Sequence, residues 1–185
     1  MLSALSHRPI PGHALIVAAL SSGALLAGAH LFEKVGGLAP CALCLDQREA
    51  HWTALALALA GIGVGAAFKW RRAAAATAGA LALVYLVSAG LAFYHAGVEN
   101  HFWPGPASCA GGGVVDLGDG ALADILNEKP GMPSCTDAAW RLLGVSMAGY
   151  NLLVSAALSA FCAAAATLAA RDARRASRPS KSGAA

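Results

Sequence analysis

The chain has 185 residues, 57% of them hydrophobic and only 12% charged, and its mean hydropathy is +0.58. This composition excludes an ordinary soluble globular domain and indicates an integral membrane protein. The formal net charge of +3 gives no reason to infer nucleic-acid binding, because the basic residues flank apolar segments as they do in membrane proteins.

Four runs free of Asp, Glu, Lys and Arg follow one another, at residues 9–32, 50–68, 73–98 and 142–170. Each is long enough to supply the roughly 20 helical residues that cross a bilayer core. None has the polar face that a helix of a soluble bundle requires. The sequence therefore predicts an all-α integral membrane protein, a single four-helix domain over residues 1–170, with helices at about 14–32, 47–68, 73–95 and 144–170.

The basic residues predict the orientation of this bundle. With the N-terminus in the cytoplasm, nine of the 13 basic residues lie on that side: Arg8, Lys69, Arg71, Arg72, Arg171, Arg174, Arg175, Arg178 and Lys181. Both termini are then cytoplasmic, and the loops 33–46 and 96–143 are periplasmic. The first run is interpreted as a retained helix rather than a cleaved signal peptide, because its apolar part is long. Residues 171–185 are predicted to be a disordered cytoplasmic tail.

Four of the five cysteines fall in the two outer loops, Cys41 and Cys44 in the first and Cys109 and Cys135 in the second. On the oxidising side of the membrane these can be structural disulfides, a zinc site or redox-active thiols. The close pair favours redox exchange, because one thiolate can attack while its neighbour resolves, whereas so short a loop restrains little chain entropy. Cys162, inside the last run, is interpreted as a small buried hydrophobe.

Polar residues after the close pair share one face of the second helix. Cys44 lies near the predicted helix N-terminus, where the partial positive charge favours a thiolate. Arg48 follows Cys44 by four residues, and His51 follows Gln47 by four. Arg48 is a permanent cation suited to stabilise an anionic sulfur or a reduced quinone oxygen. The alternative is that Arg48 and His51 anchor the helix end at the bilayer interface.

The second outer loop is rich in Gly and Pro, which is typical of a segment that moves between a soluble partner and a membrane-surface site. Phe102 and Trp103 can rest on the bilayer interface. Residues 121–126, with the sequence ALADIL, are predicted to form a short helix on the membrane surface.

Taken together, these features resemble a known family, the bacterial disulfide bond formation protein B (DsbB) family. The resemblance rests on four apolar helices, Cys-x-Leu-Cys followed by Gln-Arg, the separated cysteine pair, and the segments FYHAGVE, FWPGP and WRLLGVSMAGYN. It covers residues 14–170 and is strongest to the shorter, alphaproteobacterial-like members. Asp46, Glu49 and Ala50, beside the Gln-Arg pair, depart from the family's pattern.

The resemblance implies a role for each site residue. It implies disulfides Cys109–Cys135 and Cys41–Cys44, with Cys109 attacked by a periplasmic DsbA-like dithiol oxidase and Cys135 passing the reducing equivalents to Cys41. Cys44 then faces a quinone, ubiquinone ahead of menaquinone, near Arg48 and His95, with Gln47 and His51 as further contacts. The protein would act in the bacterial inner membrane without a metal.

Two further alternatives stay open. A vitamin K epoxide reductase-like enzyme is also a four-helix membrane bundle with two cysteine pairs, but its separated pair precedes its Cys-x-x-Cys, the reverse of the order here. A non-catalytic membrane protein with structural or metal-binding cysteines is the other alternative.

Overall fold

The structure is a computed structural model that describes residues 10–68, 71–109 and 133–176. Within these ranges it has four long helices: α1 (Ile10–Lys34), α2 (Ala42–Phe68), α3 (Arg71–Glu99) and α4 (Met147–Ala176). A 3-10 turn at Ala107–Cys109 and a two-stranded hairpin, β1 (Arg141–Leu142) and β2 (Val145–Ser146), lie between α3 and α4. The architecture is mostly helical, as the apolar runs predict.

Three helices of the described chain are long and apolar enough to cross a membrane, over Gly12–Lys34, Ala73–Glu99 and Met147–Asp172. Their outer faces carry exposed leucines, as lipid-facing surfaces do: Leu20, Leu83 and Leu153. The finding supports a membrane protein. That α2 also crosses, and that the termini are cytoplasmic, stay predictions, since α2 begins with a charged segment that contains Asp46, Arg48 and Glu49.

The four helices pack as a bundle in which α3 is central. It lies against α4 over most of its length and also against α2, while α1 contacts all three of the other helices. Small residues allow close approach: a Cβ placed on Gly61 of α2 would lie 2.7 Å from the Thr77 methyl carbon of α3. Cys162 is fully buried in this core beside Leu81 and Tyr85, in agreement with its interpretation as a packing residue.

Helix α2 begins five residues earlier than the predicted start at residue 47. Cys41 caps it, because the Cys41 sulfur accepts a hydrogen bond from the Cys44 backbone N–H at 3.2 Å and the Cys41 carbonyl accepts one from Leu45 N–H at 3.1 Å. The close cysteine pair therefore belongs to the first turn of α2 and not to a loop before it.

The helix ends also differ from the prediction elsewhere. Helix α3 continues to Glu99, four residues beyond the predicted end. Helix α4 continues to Ala176, so residues 171–176 are helical and the predicted disordered tail starts too early. Alanine and arginine are strong helix formers, and a polar composition alone does not end a helix. Residues 177–185 and the predicted helix at 121–126 lie outside the described residues.

The hairpin before α4 corrects the expectation of a purely helical chain, and of a fourth helix that starts at residue 144. Arg141 pairs with Ser146, and Leu142 pairs with Val145. The connecting Leu143 and Gly144 have φ of 52° and 81°, and two-residue hairpin turns with positive φ at both positions match the twist of the strands. The hairpin delivers Ser146 to the bundle end where α1 and α3 finish and α2 and α4 begin, which we call the cysteine end.

Candidate redox site

A cavity of about 460 Å³ lies at the cysteine end, between α1, α2, α3, α4 and the segment that precedes the hairpin. Six of the eight residues predicted for the site line it together: Cys41, Cys44, Gln47, Arg48, His51 and His95. The remaining two, Cys109 and Cys135, do not line the cavity. They lie in the same buried cluster as Cys41. The structure thus gathers in one place residues that are up to 94 positions apart in the sequence.

The structure joins Cys109 and Cys135 in a disulfide, the pairing that the resemblance implies. Both residues are buried. The Cys135 sulfur, the Cys41 sulfur and His95 Nε2 lie within 4.8 Å of one another. The separated pair and the close pair are therefore neighbours in space, with a sulfur of each facing the same histidine nitrogen.

The close pair differs from expectation, because the structure has Cys41 and Cys44 as two thiols and not as a disulfide. A hydrogen bond links the two residues in place of the S–S bond: the Cys41 sulfur accepts from the Cys44 backbone N–H as part of the helix cap. With both sulfurs as thiols, the close pair is in its reduced state, which carries two more electrons than its disulfide form.

The two thiols have opposite pKa shifts. The pKa of Cys44 is lowered to about 7, first because the Cys41 thiol donates a hydrogen bond to the Cys44 thiolate, with the positive charge of Arg48 adding to the effect. The same hydrogen bond raises the pKa of Cys41, and burial raises it further. The pair therefore ionises at Cys44, and Cys41 keeps its proton.

Arg48 reaches the cavity from α2 and pairs with Glu33 near the end of α1. Its second nitrogen donates to the Ala29 carbonyl at 3.3 Å. These contacts hold the guanidinium beside the cavity wall, and its side chain is only 15% exposed. An arginine fixed in this way can contact a polar group inside the cavity without first losing side-chain freedom.

Gln47 fixes the orientation of His95. One amide hydrogen of Gln47 goes to the Leu43 carbonyl at 3.1 Å, and the other goes to His95 Nδ1 at 2.8 Å. His95 Nδ1 is then an acceptor, so the neutral ring carries its proton on Nε2. That nitrogen lies 3.6 Å from the Cys41 sulfur.

A line of hydrogen bonds continues from Gln47 into the bundle. Asn151 of α4 donates to the Gln47 side-chain oxygen at 2.7 Å, and its own oxygen lies 2.7 Å from His51 Nε2. The other His51 nitrogen lies 3.3 Å from the Ser22 hydroxyl, which in turn lies 2.7 Å from the Tyr85 hydroxyl. His51 therefore crosses from α2 to α1 and α4 as part of a polar network and is not an anchor at the helix end.

Sequence reasoning missed the partners in this network and one buried acid. Asn151, Ser22 and Ser155 sit inside apolar runs, and that placement is itself the signal, because polar residues in membrane helices face the bundle interior. Glu99 is also buried in the cavity wall, where it accepts a hydrogen bond from the Ser146 hydroxyl. Its only signal in the sequence is the segment FYHAGVE, which ends at Glu99 and does not by itself give this acid a role.

The three clustered ligand atoms of Cys41, His95 and Cys135 are close enough to suggest a metal site. Zinc requires thiolate sulfur, and the Cys135 sulfur is already bonded to Cys109. The residues in this state do not fit a metal ion, and they fit thiol–disulfide exchange better.

The fold and this site together define a helical membrane protein with a thiol–disulfide redox centre at one end of its bundle. Residues 11–165 match the family described as disulfide bond formation protein DsbB. The chain belongs to the DsbB family of membrane disulfide-bond oxidoreductases, which confirms the resemblance seen in the sequence. The comparison with curated proteins finds no match.

Proposed function

We propose that the protein is an inner-membrane thiol:quinone oxidoreductase. It reoxidises a periplasmic DsbA-like dithiol oxidase and passes two electrons to a membrane quinone, which sustains disulfide formation in exported proteins. Its four spans leave both termini in the cytoplasm and the cysteine end in the periplasm. Membership of the DsbB family and the grouping of both cysteine pairs around one cavity support this proposal.

A single observation carries the relay: the Cys135 and Cys41 sulfurs lie within 4.8 Å of each other. Thiol–disulfide exchange needs a thiolate to approach a disulfide sulfur, and this separation leaves only a small movement. A partner thiolate attacks Cys109 and forms a mixed disulfide, which releases Cys135 as a thiolate. Cys135 then attacks Cys41 of an oxidised close pair, and Cys44 leaves as the stable thiolate. The partner's second thiolate breaks the mixed disulfide, so that the partner leaves oxidised and Cys109 is released. The Cys109 thiolate attacks Cys135, which closes the outer disulfide again and frees Cys41, and Cys41 takes up a proton.

The protonation of the close pair supports this direction of transfer. A leaving thiol with a low pKa departs faster, and the pKa of Cys44 is about 7. The reduced close pair beside a closed Cys109–Cys135 disulfide corresponds to the stage after this exchange, when the motif holds two electrons and the outer disulfide is ready for another partner molecule.

The cavity fits a quinone head group. Phe32, Trp140 and Met147 give it apolar walls, while Arg48, Gln47 and His95 supply polar groups close to Cys44. When bound, a quinone supplies an acceptor for two electrons. The fixed guanidinium of Arg48 would bind its oxygen and stabilise negative charge there.

The deciding experiment follows quinone reduction by absorbance, with purified protein and a reduced thioredoxin-fold dithiol protein, for ubiquinone and menaquinone analogues. We expect Cys44→Ser and Cys109→Ser each to lower turnover by more than about 100-fold, because each removes a sulfur that forms or breaks a bond in the relay. Cys162→Ser is the matched control, since this cysteine is buried in the bundle core away from the cavity.

Turnover that survives both Cys44→Ser and Cys109→Ser, or that is absent from the wild-type protein with every quinone, would overturn the proposal. Structural or metal-binding cysteines would then be the better interpretation. Measuring the zinc content of the purified protein would separate those two cases.

A further inference from the structure

The proposed relay leaves one buried carboxylate in the cavity without a role. Glu99 is the last residue of α3, is only 7% exposed, and lines the cavity together with Cys41 and Cys44. Burial of a charged carboxylate is costly, and titratable groups held in a cavity beside reactive residues are candidates for catalysis. Reduction of a quinone to a quinol also consumes two protons, and groups in the cavity must supply them.

The contacts of Glu99 place its carboxylate beside the histidine that faces Cys41. One carboxylate oxygen accepts a hydrogen bond from the Ser146 hydroxyl of the hairpin. The other lies 3.7 Å from His95 Nε2, and that nitrogen lies 3.6 Å from the Cys41 sulfur. The carboxylate and the sulfur thus flank the same imidazole nitrogen, and the negative charge of Glu99 acts on Cys44 across the cavity.

His95 is not the proton acceptor, although it is closer to Cys41. Gln47 donates to His95 Nδ1, so Nε2 carries the ring proton and has no lone pair to offer. Gln47 cannot turn its amide around without losing its bonds to the Leu43 carbonyl and to Asn151. His95 Nε2–H is therefore held as a donor towards the Cys41 sulfur, with the Glu99 carboxylate 3.7 Å from the same nitrogen.

The remaining ionisable groups that line the cavity in the described chain do not suit this role, and they are Cys41, Cys44, Arg48, His51, Asp137 and Tyr150. The two cysteines are the reacting groups, and Arg48 is a permanent cation paired with Glu33. His51 has hydrogen-bond partners at both ring nitrogens. Asp137 is exposed on the segment before the hairpin, and the Tyr150 hydroxyl already donates to the Leu142 carbonyl at 3.1 Å.

We propose that Glu99 is a catalytic proton-exchanging residue of this cavity. Oxidation of the partner dithiol releases two protons while the close pair takes up two electrons. Cys41 takes one proton and the Glu99 carboxylate takes the other, directly or through one water, so that Cys44 stays the thiolate that the exchange released. When the close pair becomes a disulfide, the two sulfurs give up two electrons and Cys41 gives up its proton. The quinone takes both electrons with the protons of Cys41 and Glu99, and Glu99 regains its charge.

This inference rests on the proposed function. Glu99→Gln tests it, because the variant should contain more Cys44 thiolate at a given pH and yet turn over more slowly. The amide keeps the size of the side chain and its contact with Ser146 but cannot carry the proton. In the reduced, quinone-free protein, the pH at which iodoacetamide alkylates Cys44 at half its maximal rate should fall, since a negative charge near the thiolate has gone. Turnover with quinone should nevertheless fall about 100-fold.

Two further variants serve as controls. Glu49→Gln makes the same chemical change on α2, outside the cavity lining, and should alter neither readout. Glu99→Asp restores a carboxylate on a shorter side chain and should recover part of the lost turnover. That recovery also separates loss of the proton carrier from loss of the fold.

The outcomes are distinct. Wild-type protein without quinone reduction contradicts the proposed function itself. Active wild-type protein with an equally active or faster Glu99→Gln variant means that Glu99 acts only through its charge or its hydrogen bond, and the inference is wrong. A variant with more Cys44 thiolate, slower turnover and rescue by aspartate supports it.

Discussion

Cys41 and Cys44 occupy the same helical turn but meet different surroundings. The Cys41 sulfur is buried against His95 and the outer disulfide, while the Cys44 sulfur faces the cavity and Arg48. A hydrogen bond from one thiol to the other turns this difference into a single thiolate at Cys44. The same division suits the proposed relay, in which Cys41 would receive the electrons and Cys44 would face their acceptor.

The pH dependence of Cys44 follows from this pairing. With Cys109–Cys135 intact and Cys162 replaced by serine, we expect the rate of iodoacetamide alkylation to rise through about pH 7, the pKa of Cys44, and to fall about tenfold per pH unit below it. Replacing Cys41 by alanine removes the hydrogen bond that lowers the pKa, so the midpoint should move up towards that of an ordinary thiol, about 8.5. If the midpoint of Cys44 alkylation stays near pH 7 in Cys41→Ala, the hydrogen bond from Cys41 is not the cause of the low pKa of Cys44.

Much of this site is visible in the sequence, because its residue types are few and closely spaced. Cys41, Cys44, Gln47 and Arg48 lie within two helical turns of the chain, so their shared face follows from helix geometry alone. Glu99 and Asn151 could not be found in that way. Their roles depend on which helix faces they meet, and the pairing of Glu99 with Ser146 needs a hairpin whose Leu143 takes a φ that leucine rarely adopts.

At the scale of elements, α3 holds the described first part of the outer loop, residues 100–109, in place. The Trp103 indole N–H donates to the Tyr94 carbonyl at 2.8 Å, and the Tyr94 hydroxyl donates to the Pro104 carbonyl at 2.9 Å. Trp103 can lie this close because Gly97 has no side chain. The segment of the loop that leads to Cys109 is thus fastened to the helix, and the predicted movement of the loop stays a prediction.

Replacing Gly97 by alanine tests this fastening, because the new Cβ would overlap the Trp103 ring. We expect the segment to lift from α3, a loss of about 1–3 kcal/mol in stability from the forced repacking, and faster reduction of Cys109–Cys135 by a small thiol. Gly90→Ala is the matched control, since a Cβ there meets nothing within 4 Å. Equal reduction rates in the two variants would show that Trp103 does not restrain the loop.

At the scale of the whole molecule, the helix order brings every redox residue to one end. Helices α1 and α3 finish where α2 and α4 begin, so Cys41, Glu99 and Ser146 meet although they belong to separate parts of the chain. Among the described residues, the other end has Arg71 and Arg72 at the start of α3 and Arg171, Arg174 and Arg175 in the last part of α4. Basic residues favour the cytoplasmic side of a membrane, and this is the physical basis of the proposal that the cysteine end lies outside the cytoplasm.

Whether the chain crosses the membrane an even or an odd number of times can be tested by finding whether its two termini lie on the same side. Helices α1, α3 and α4 are each apolar enough to cross, so both termini lie on the same side only if α2 crosses as well. We expect an impermeant maleimide applied to intact spheroplasts to label a cysteine-free variant at Leu143→Cys, whose side chain is 91% exposed in the hairpin turn. Ser3→Cys and Ser182→Cys should react only after the membrane is opened. Labelling of one terminus but not the other from outside would mean an odd number of spans, and α2 would then lie within the protein or at the surface without crossing.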